Sequence, residues 1–216
     1  MSSVLTKLRG LAGDFRFHVE KRGWSSAAAW LGRALPALVC WRIEYLVLAR
    51  SLEGPLPERE ARVPVKFSVA GPETIDRLRS FVPPSEADYF ARRLALGRTC
   101  MVAWIGDEVA AYAWATDQVR FEIDNLEIRL EPGDAYVDDN FTWPRHRGLG
   151  VQTALHLHLL KWLQARSFRR VLAIVEMNNA SSLKVVDKLG YRPVDRLHFR
   201  RFLHWRRYRY LSDFRE

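Results

Sequence analysis

The chain has few cysteines and no long apolar run. Its 216 residues include two cysteines, Cys40 and Cys100, and neither belongs to a CxxC or Cys/His pattern. Isolated cysteines in apolar surroundings argue against a disulfide framework or a zinc site, so we expect buried thiols in a reducing compartment. Charged residues break the stretch 24–49 into apolar runs of ten residues or fewer, which are too short for a membrane-spanning helix. Met1–Gly10 lacks the apolar core of a signal peptide, which predicts a cytoplasmic protein.

Motifs of several enzyme classes are also missing. The sequence contains no HExxH zinc-protease motif and no GxSxG nucleophile motif. His156 and His158 are two residues apart on a predicted helix, so their side chains face different directions and do not form a metal pair. We therefore expect no metal. Neither an internal repeat nor a low-complexity segment is present.

What the chain does have is hydrophobic and basic residues. Hydrophobic residues make up 48% of the sequence, with eight Trp and eleven Phe, so a large core can form. Lys and Arg outnumber Asp and Glu by 34 to 25, which gives a formal net charge of +9. Such a charge favours acidic partners, namely polyphosphate ligands, nucleic acid or an anionic membrane surface.

The most informative segment is the turn 144–153, with the sequence PRHRGLGVQT. It joins a predicted strand at 135–143 to a helix whose apolar residues recur at spacings of three and four. Gly148 and Gly150 let the backbone approach a ligand closely, and the unpaired N–H groups of the first helical turn point towards it. The segment predicts an anion site, without the Lys and Ser/Thr of a P-loop or the third glycine of a Rossmann turn.

A second pattern follows this helix. Residues 171–175 (VLAIV) predict a buried strand, and Asn179 then begins a short helix that ends at Lys188-Leu189-Gly190. With these two linked motifs, the chain resembles the Gcn5-related N-acyltransferases (GNAT) over about residues 63 to 205. The resemblance implies a mixed α/β fold, with a mostly antiparallel central sheet and helices on both faces. We expect an acyltransferase domain at 61–216, preceded by a helical, amphipathic extension at 1–60.

The resemblance also implies acetyl-CoA, or another acyl-CoA, as the cosubstrate. The family's Arg/Gln-x-x-Gly-x-Gly/Ala pattern fits in two frames, one beginning at Arg145 and one at Arg147. We prefer the second frame because its distance from Pro144 is the usual one, although it puts Gln152 where Gly or Ala is expected. The implied coenzyme-binding residues are Arg147, Gly148, Leu149, Gly150, Val151, Gln152, Thr153, Asn179 and Ser182. Asn179 and Ser182 also suit an N-terminal cap, and both roles can hold together.

Acyl transfer to an amine needs a base for the amine and a donor for the oxyanion. In proteins that the chain resembles, a bulge splays the strand before the turn from its neighbour, and a backbone N–H meets the thioester carbonyl. Here that N–H would come from Phe141, Thr142 or Trp143. The first candidate for the general base is Asp138, with Asp139 and Glu176 as rivals. The alternative role of Asp138 and Asp139 is to orient a cationic substrate or to satisfy local backbone groups.

One expected catalytic group is absent. The family often supplies a tyrosine as general acid seven residues after the Asn, and that position holds Val186. Either another group protonates the leaving thiolate, with Tyr191 and Tyr136 as substitutes, or none does, because a thiolate with a pKa of about 8.5 can leave unassisted.

The two ends of the chain are basic and aromatic. A predicted amphipathic helix near the N-terminus either packs on the domain or contacts a membrane at its inner surface. Seven arginines lie between Arg196 and Arg215, interleaved with aromatic residues. This tail is a solvated end, a contact for a membrane or an acyl carrier protein or, ranked last, a nucleic-acid patch.

The leading hypothesis is an N-acyltransferase that acetylates the primary amine of a small molecule. Three alternatives stay open: transfer of a long acyl chain from acyl-CoA or acyl carrier protein, a non-catalytic module that binds coenzyme A or a membrane and, ranked last, a nucleic-acid-binding protein. The oligomeric state is open, with a dimer among the options.

Overall fold

The computed structural model describes residues 40–80, 84–118, 120–123, 126–202 and 205–211. These residues belong to two compact units. The larger unit contains Tyr45–Leu197, and the smaller one contains 40–44 and His198–Tyr210. The larger unit holds the candidate site.

The described residues form ten strands and four α-helices. The strands are β1 Cys40–Ser51, β2 Lys66–Val69, β3 Thr99–Ile105, β4 Glu108–Thr116, β5 Arg120–Ile123, β6 Leu126–Arg129, β7 Asp134–Thr142, β8 Arg170–Glu176, β9 Arg192–Phe202 and β10 Trp205–Leu211. The helices are α1 Pro72–Leu78, α2 Pro84–Ala95, α3 Val151–Gln164 and α4 Ala180–Lys188, with a 3₁₀ turn at Pro144–His146.

The sheet of the larger unit has the strand order β9-β1-β8-β7-β4-β3-β2, and β10 neighbours β9 in the smaller unit. The pairs β1–β8, β2–β3, β3–β4 and β4–β7 are antiparallel, whereas β7 and β8 run parallel. Strand β1 therefore lies between β8 and β9, although these two follow each other in the chain. The short strands β5 and β6 form a separate hairpin.

Two apolar clusters cover the two faces of the sheet. On one face, α3 and α4 pack on alternate residues of the central strands, including Ala113, Val137 and Ala173. On the other face, α1 and α2 pack on the intervening residues, such as Tyr112 and Trp114. This confirms the predicted mixed α/β fold with helices on both faces.

Most predicted elements occur where the sequence places them. Two apolar stretches at 99–105 and 108–116, joined by Gly106-Asp107, predict a hairpin, and β3 and β4 begin and end at these residues. The sequence at 121–130 predicts one continuous strand. This prediction is wrong, since β5 and β6 pair with each other over this range. The tail contains β9 and a further strand, β10, that the sequence analysis did not identify.

The N-terminal extension is described only from residue 40. Residues 40–60 are not helical: they comprise β1 and an extended segment. The predicted amphipathic helix lies outside the described residues. None of the helices in the described ranges has the length and apolarity needed to cross a membrane.

Candidate active site

The candidate site lies where strands β7 and β8 part. The two strands pair only at Asp134–Arg170, Ala135–Val171 and Tyr136–Leu172. Beyond Tyr136 the gap opens into a cavity of about 1090 Å³ that reaches from the sheet to the N-terminal turn of α3. Both motifs identified in the sequence therefore line one cavity.

A bulge in β7 accompanies the opening. On the β4 side, Asp138 pairs with Trp114 and Phe141 pairs with Tyr112, so β7 has one extra residue between these pairs. Asp139 lies in the bulge with a φ of 46°, which is uncommon for a residue with a side chain. This is the bulge that the resemblance implied.

The turn at 147–153 forms the end of the cavity next to α3. Gly148 and Gly150 have φ values of 77° and 78°, a left-handed backbone that glycine adopts without strain. Gly150 is the N-cap of α3, and no side chain caps the helix. The first backbone N–H groups of α3 thus lack partners within the helix and are available to an anion. Residues 147, 148 and 150–153 line the cavity.

Gly150 has a second reason to be glycine. A Cβ at this position would lie 3.4 Å from the carbonyl oxygen of Glu60. The backbone N–H of Arg62 also donates to the carbonyl of Leu149, at 2.8 Å. The chain's own segment before β2 therefore packs on the turn, and it brings Arg59 and Arg62 to the cavity wall. Sequence analysis did not identify these two arginines.

Gln152 occupies the position where the family pattern has Gly or Ala. The hydroxyl of Thr142 donates to the Gln152 Oε1 atom at 2.7 Å, which ties the start of α3 to the end of β7. The Gln152 Nε2 atom is buried and has no hydrogen-bond partner among the described residues. Because Gln152 lines the cavity, this amide is a donor for a ligand that lies there.

The backbone N–H groups at the end of β7 alternate between β4 and the gap. The Trp143 N–H donates to the Ala110 carbonyl at 3.0 Å, so it points towards β4 and not into the gap. Alternation along an antiparallel pair directs the N–H of Thr142 the other way, towards the gap. Its carbonyl, on the same side, accepts from the Nε atom of Arg147 at 3.0 Å. Among the three predicted donors, the geometry favours Thr142.

The carboxylate of Asp138 is held by arginines. Arg93 of α2 donates to Asp138 at 2.6 Å and to Asp139 at 3.2 Å, and Arg98 lies 3.5 Å from Asp138. The Arg93 side chain is 7% exposed and lies 4.5 Å from the centre of the Trp114 ring. Burial raises the pKa of the Asp138 carboxyl, and the charge of Arg93 acts in the opposite direction. Asp138 thus anchors the bulge to α2.

Glu176 differs from Asp138 in its surroundings. Val171, Ala173 and Val175 pack on the α3 side of the sheet, so the alternate residue Glu176 faces the opposite side, as Asp138 does. Glu176 is half-buried, lines the cavity and has no ion-pair partner among the described residues. Tyr45 of β1, which the sequence analysis did not identify, is its register partner across the strands and lines the same cavity.

Asn179 and Ser182 follow β8 and line the cavity across the gap from β7. Asn179 caps α4, since its Oδ1 atom accepts from the Ser182 N–H at 3.1 Å and from the Ser181 hydroxyl at 2.9 Å. This confirms the capping role of Asn179, whereas Ser182 contributes only the backbone N–H that is capped; both residues also line the cavity. Val186, at the position of the expected tyrosine, lines it as well.

The two tyrosines considered as substitutes are buried. Tyr191 is 3% exposed and its hydroxyl lies 2.8 Å from the Nε2 atom of buried His156, away from the cavity wall. Tyr136 is also 3% exposed. Cys100 is a free, fully buried thiol whose pKa is raised by burial, as expected. No cluster of three potential metal ligands occurs within the described ranges.

Comparison with known proteins identifies the fold family. A family model described as the acetyltransferase (GNAT) family matches residues 72–191, which is more than half of the chain. The chain belongs to this family. GNAT proteins are in general N-acetyltransferases that use acetyl-CoA.

Individual relatives are distant. Phosphinothricin N-acetyltransferase of Streptomyces viridochromogenes is 38% identical over 47 residues, which is 22% of this chain and 26% of that protein. A GNAT from Sphaerobacter thermophilus superposes with a TM-score of 0.56 at 14% identity, covering 84% of this chain and 57% of the other. A tandem GNAT protein from the clavulanic acid biosynthesis pathway gives 0.54 at 16% identity, covering 82% and 59%. The chain thus spans less than two thirds of each of these proteins, and the structural matches show the fold alone.

Proposed function

We propose that the protein is an acetyl-CoA-dependent N-acetyltransferase that acts on the primary amine of a small molecule. The observation that carries the proposal is the gap between β7 and β8, which leads from two carboxylates to the glycine turn at the start of α3. The relative named for N-acetylation of phosphinothricin supports the same class of acceptor.

The chain's residues fit the coenzyme along the whole cavity. When bound, acetyl-CoA supplies an activated acetyl thioester. The N–H groups at the start of α3 and the Arg147 side chain bind its diphosphate. The buried Gln152 amide donates to the pantetheine arm, with Asn179 and Ser182 across the gap from β7. The Thr142 N–H is the donor for the thioester carbonyl.

Glu176 is the better-placed general base. A base must accept a proton, and the oxygens of Asp138 are already occupied by Arg93 and Arg98. Glu176 faces the same side of the sheet without such partners among the described residues. We assign proton removal from the amine to Glu176, and the positioning of the bulge to Asp138.

The coenzyme site is tested by thermal unfolding with and without acetyl-CoA. A ligand at 100 times its Kd that binds only the folded state adds about 2.7 kcal/mol, which raises the Tm by a few degrees. Gly148→Glu places a carboxylate in the cavity and abolishes the shift.

Gly106→Glu is the matched control. Gly106 also has a positive φ and open space around it, but it lies in the β3–β4 turn outside the cavity. This variant keeps the shift. Amine-dependent release of coenzyme A thiol then identifies the acceptor from a panel of small amines. No shift in the wild-type protein overturns the proposal.

A further inference from the structure

The segment 52–62, which we call the strap, joins β1 to the region before β2. Its first end is fixed at the C-terminal end of α3. There the Gln164 Nε2 atom donates to the carbonyls of Leu52, at 2.6 Å, and Gly54, at 2.9 Å. The strap lies outside the residues that the family model matches.

The second end of the strap is fixed at the opposite end of the same helix. Arg62 donates to the Leu149 carbonyl, and the Glu60 carbonyl contacts Gly150. An α-helix of 14 residues is about 21 Å long, and an extended chain covers this distance in about seven residues. The residues between Gly54 and Ala61 are therefore enough to follow α3 along its length.

The side chains of the strap divide by chemistry. Leu56 and Ala61 are partly buried against the core on the α3 side, and this contact holds the strap in place. Arg59 and Arg62 are exposed and line the cavity beside the glycine turn, together with Glu60. Arg147 lines the same part of the cavity from the turn itself. Three arginines against one glutamate leave this end positively charged.

We propose that the strap is part of the donor site, with Arg59 and Arg62 binding the phosphate groups of coenzyme A. The inference rests on the proposed function and deepens it. Arginine binds phosphate through charge-assisted hydrogen bonds, and Arg62 is held next to the helix start by its own backbone hydrogen bond. Donor recognition thus depends on a segment outside the matched domain.

The inference is tested by calorimetric titration with coenzyme A, dephospho-coenzyme A and pantetheine. Arg59→Ala/Arg62→Ala raises the Kd for coenzyme A by about tenfold and leaves the Kd for pantetheine unchanged. If the double variant also has a raised Kd for dephospho-coenzyme A, the arginines bind the diphosphate. If the Kd of the double variant for dephospho-coenzyme A equals that of the wild-type protein, the arginines bind the 3′-phosphate.

Lys66→Ala/Arg79→Ala is the matched control, because both residues are exposed and lie outside the cavity. It removes two positive charges and changes the Kd less than twofold. Equal Kd values for the strap and control variants overturn this inference and leave the proposed function standing. A wild-type protein that binds coenzyme A no more tightly than pantetheine overturns both.

Discussion

The two halves of strand β7 differ in almost every property. Residues 134–137 are buried, and residues 134–136 pair with β8, whereas residues 138–142 do not pair with β8 and are partly exposed. Each half begins at an aspartate bound by arginine. Arg170 of β8 binds Asp134 at 2.6 and 2.9 Å where the two strands meet. Arg93 of α2 binds Asp138 where they part. An arginine–aspartate ion pair thus lies where β7 and β8 are paired, and another lies where the two strands separate.

The two ion pairs also differ in burial. Arg170 is 45% exposed, so water screens its side of the pair, although the Asp134 side chain is only 5% exposed. Arg93 is 7% exposed and Asp138 is 14% exposed, so removing either partner leaves a charge in a poorly solvated place. The open half of β7 is therefore the one that depends more on its ion pair.

The largest expected effect is on catalysis in the open half. Glu176→Gln removes the proposed base and lowers kcat by about 10²-fold or more, with little change in the Kd for acetyl-CoA. Steady-state kinetics and calorimetry measure the two quantities. Asp138→Asn is the comparison and reduces the Tm more than Glu176→Gln does. A severe kcat loss in Asp138→Asn alone, with an unchanged Tm, would return the base assignment to Asp138.

The next effect is on stability. Arg93→Ala leaves the carboxylates of Asp138 and Asp139 without their main partner, which costs about 3 kcal/mol in the free energy of unfolding. Denaturant unfolding measures this cost. Arg92→Ala, at an exposed position of the same helix, changes the free energy by less than about 0.5 kcal/mol. Equal losses in the two variants would contradict the importance of the buried pair.

A third prediction contrasts these ion pairs with the neutral pair of His156 and Tyr191. Burial lowers the pKa of His156 to about 4, from about 6.5 in the unfolded chain. The contribution of neutral His156 to the free energy of unfolding is fully present above pH 6.5. It decreases as the pH falls towards 4, and the total loss is about 3 kcal/mol. Unfolding at a series of pH values should show this slope.

The slope belongs to His156 if it disappears in His156→Leu/Tyr191→Phe, which removes both polar groups of the buried pair. His158→Gln, on the same helix but half-exposed, is the control and keeps most of the slope. An unchanged slope in the double variant would assign the acid sensitivity to other groups.

The smallest effect is expected in the closed half of β7. Arg170→Ala removes a partly exposed partner, while the Glu131 N–H still donates to the Asp134 carboxylate at 3.1 Å. The loss is about 1 kcal/mol in the free energy of unfolding. A loss as large as that of Arg93→Ala would remove the distinction between the two halves.

The sequence predicted those parts of the fold that depend on residues close together in the chain. The β3–β4 hairpin, the glycine turn and the Asn179 cap each depend on neighbouring residues, so their sequences are informative. Strand β1 was not predicted, because its partners β8 and β9 are distant in the chain and Arg42 suggested only a break in an apolar run. The pairing of Arg93 with Asp138 was also not predicted, since an arginine on a helix usually faces solvent.

Contacts between residues that are distant in the chain also determine part of the site, and these were not predicted. Arg59 and Arg62 lie in a polar segment with no motif, and only their contacts with Leu149 and Gly150 place them at the cavity. The division at residue 60, the cytoplasmic location, the dimer, and the contacts of the tail with a membrane, an acyl carrier protein or nucleic acid stay predictions.

The position of β1 has a consequence for how the protein is made. Leu48 pairs with Ala173, and β9 lies on the other side of β1. During synthesis β1 emerges before both of its neighbours, and most of the sheet lies between them in the chain. The pairing of β1 is therefore completed only after β8 and β9 have been made, and such distant pairing slows folding. Until then β1 keeps both edges unpaired and is exposed to pairing with other chains.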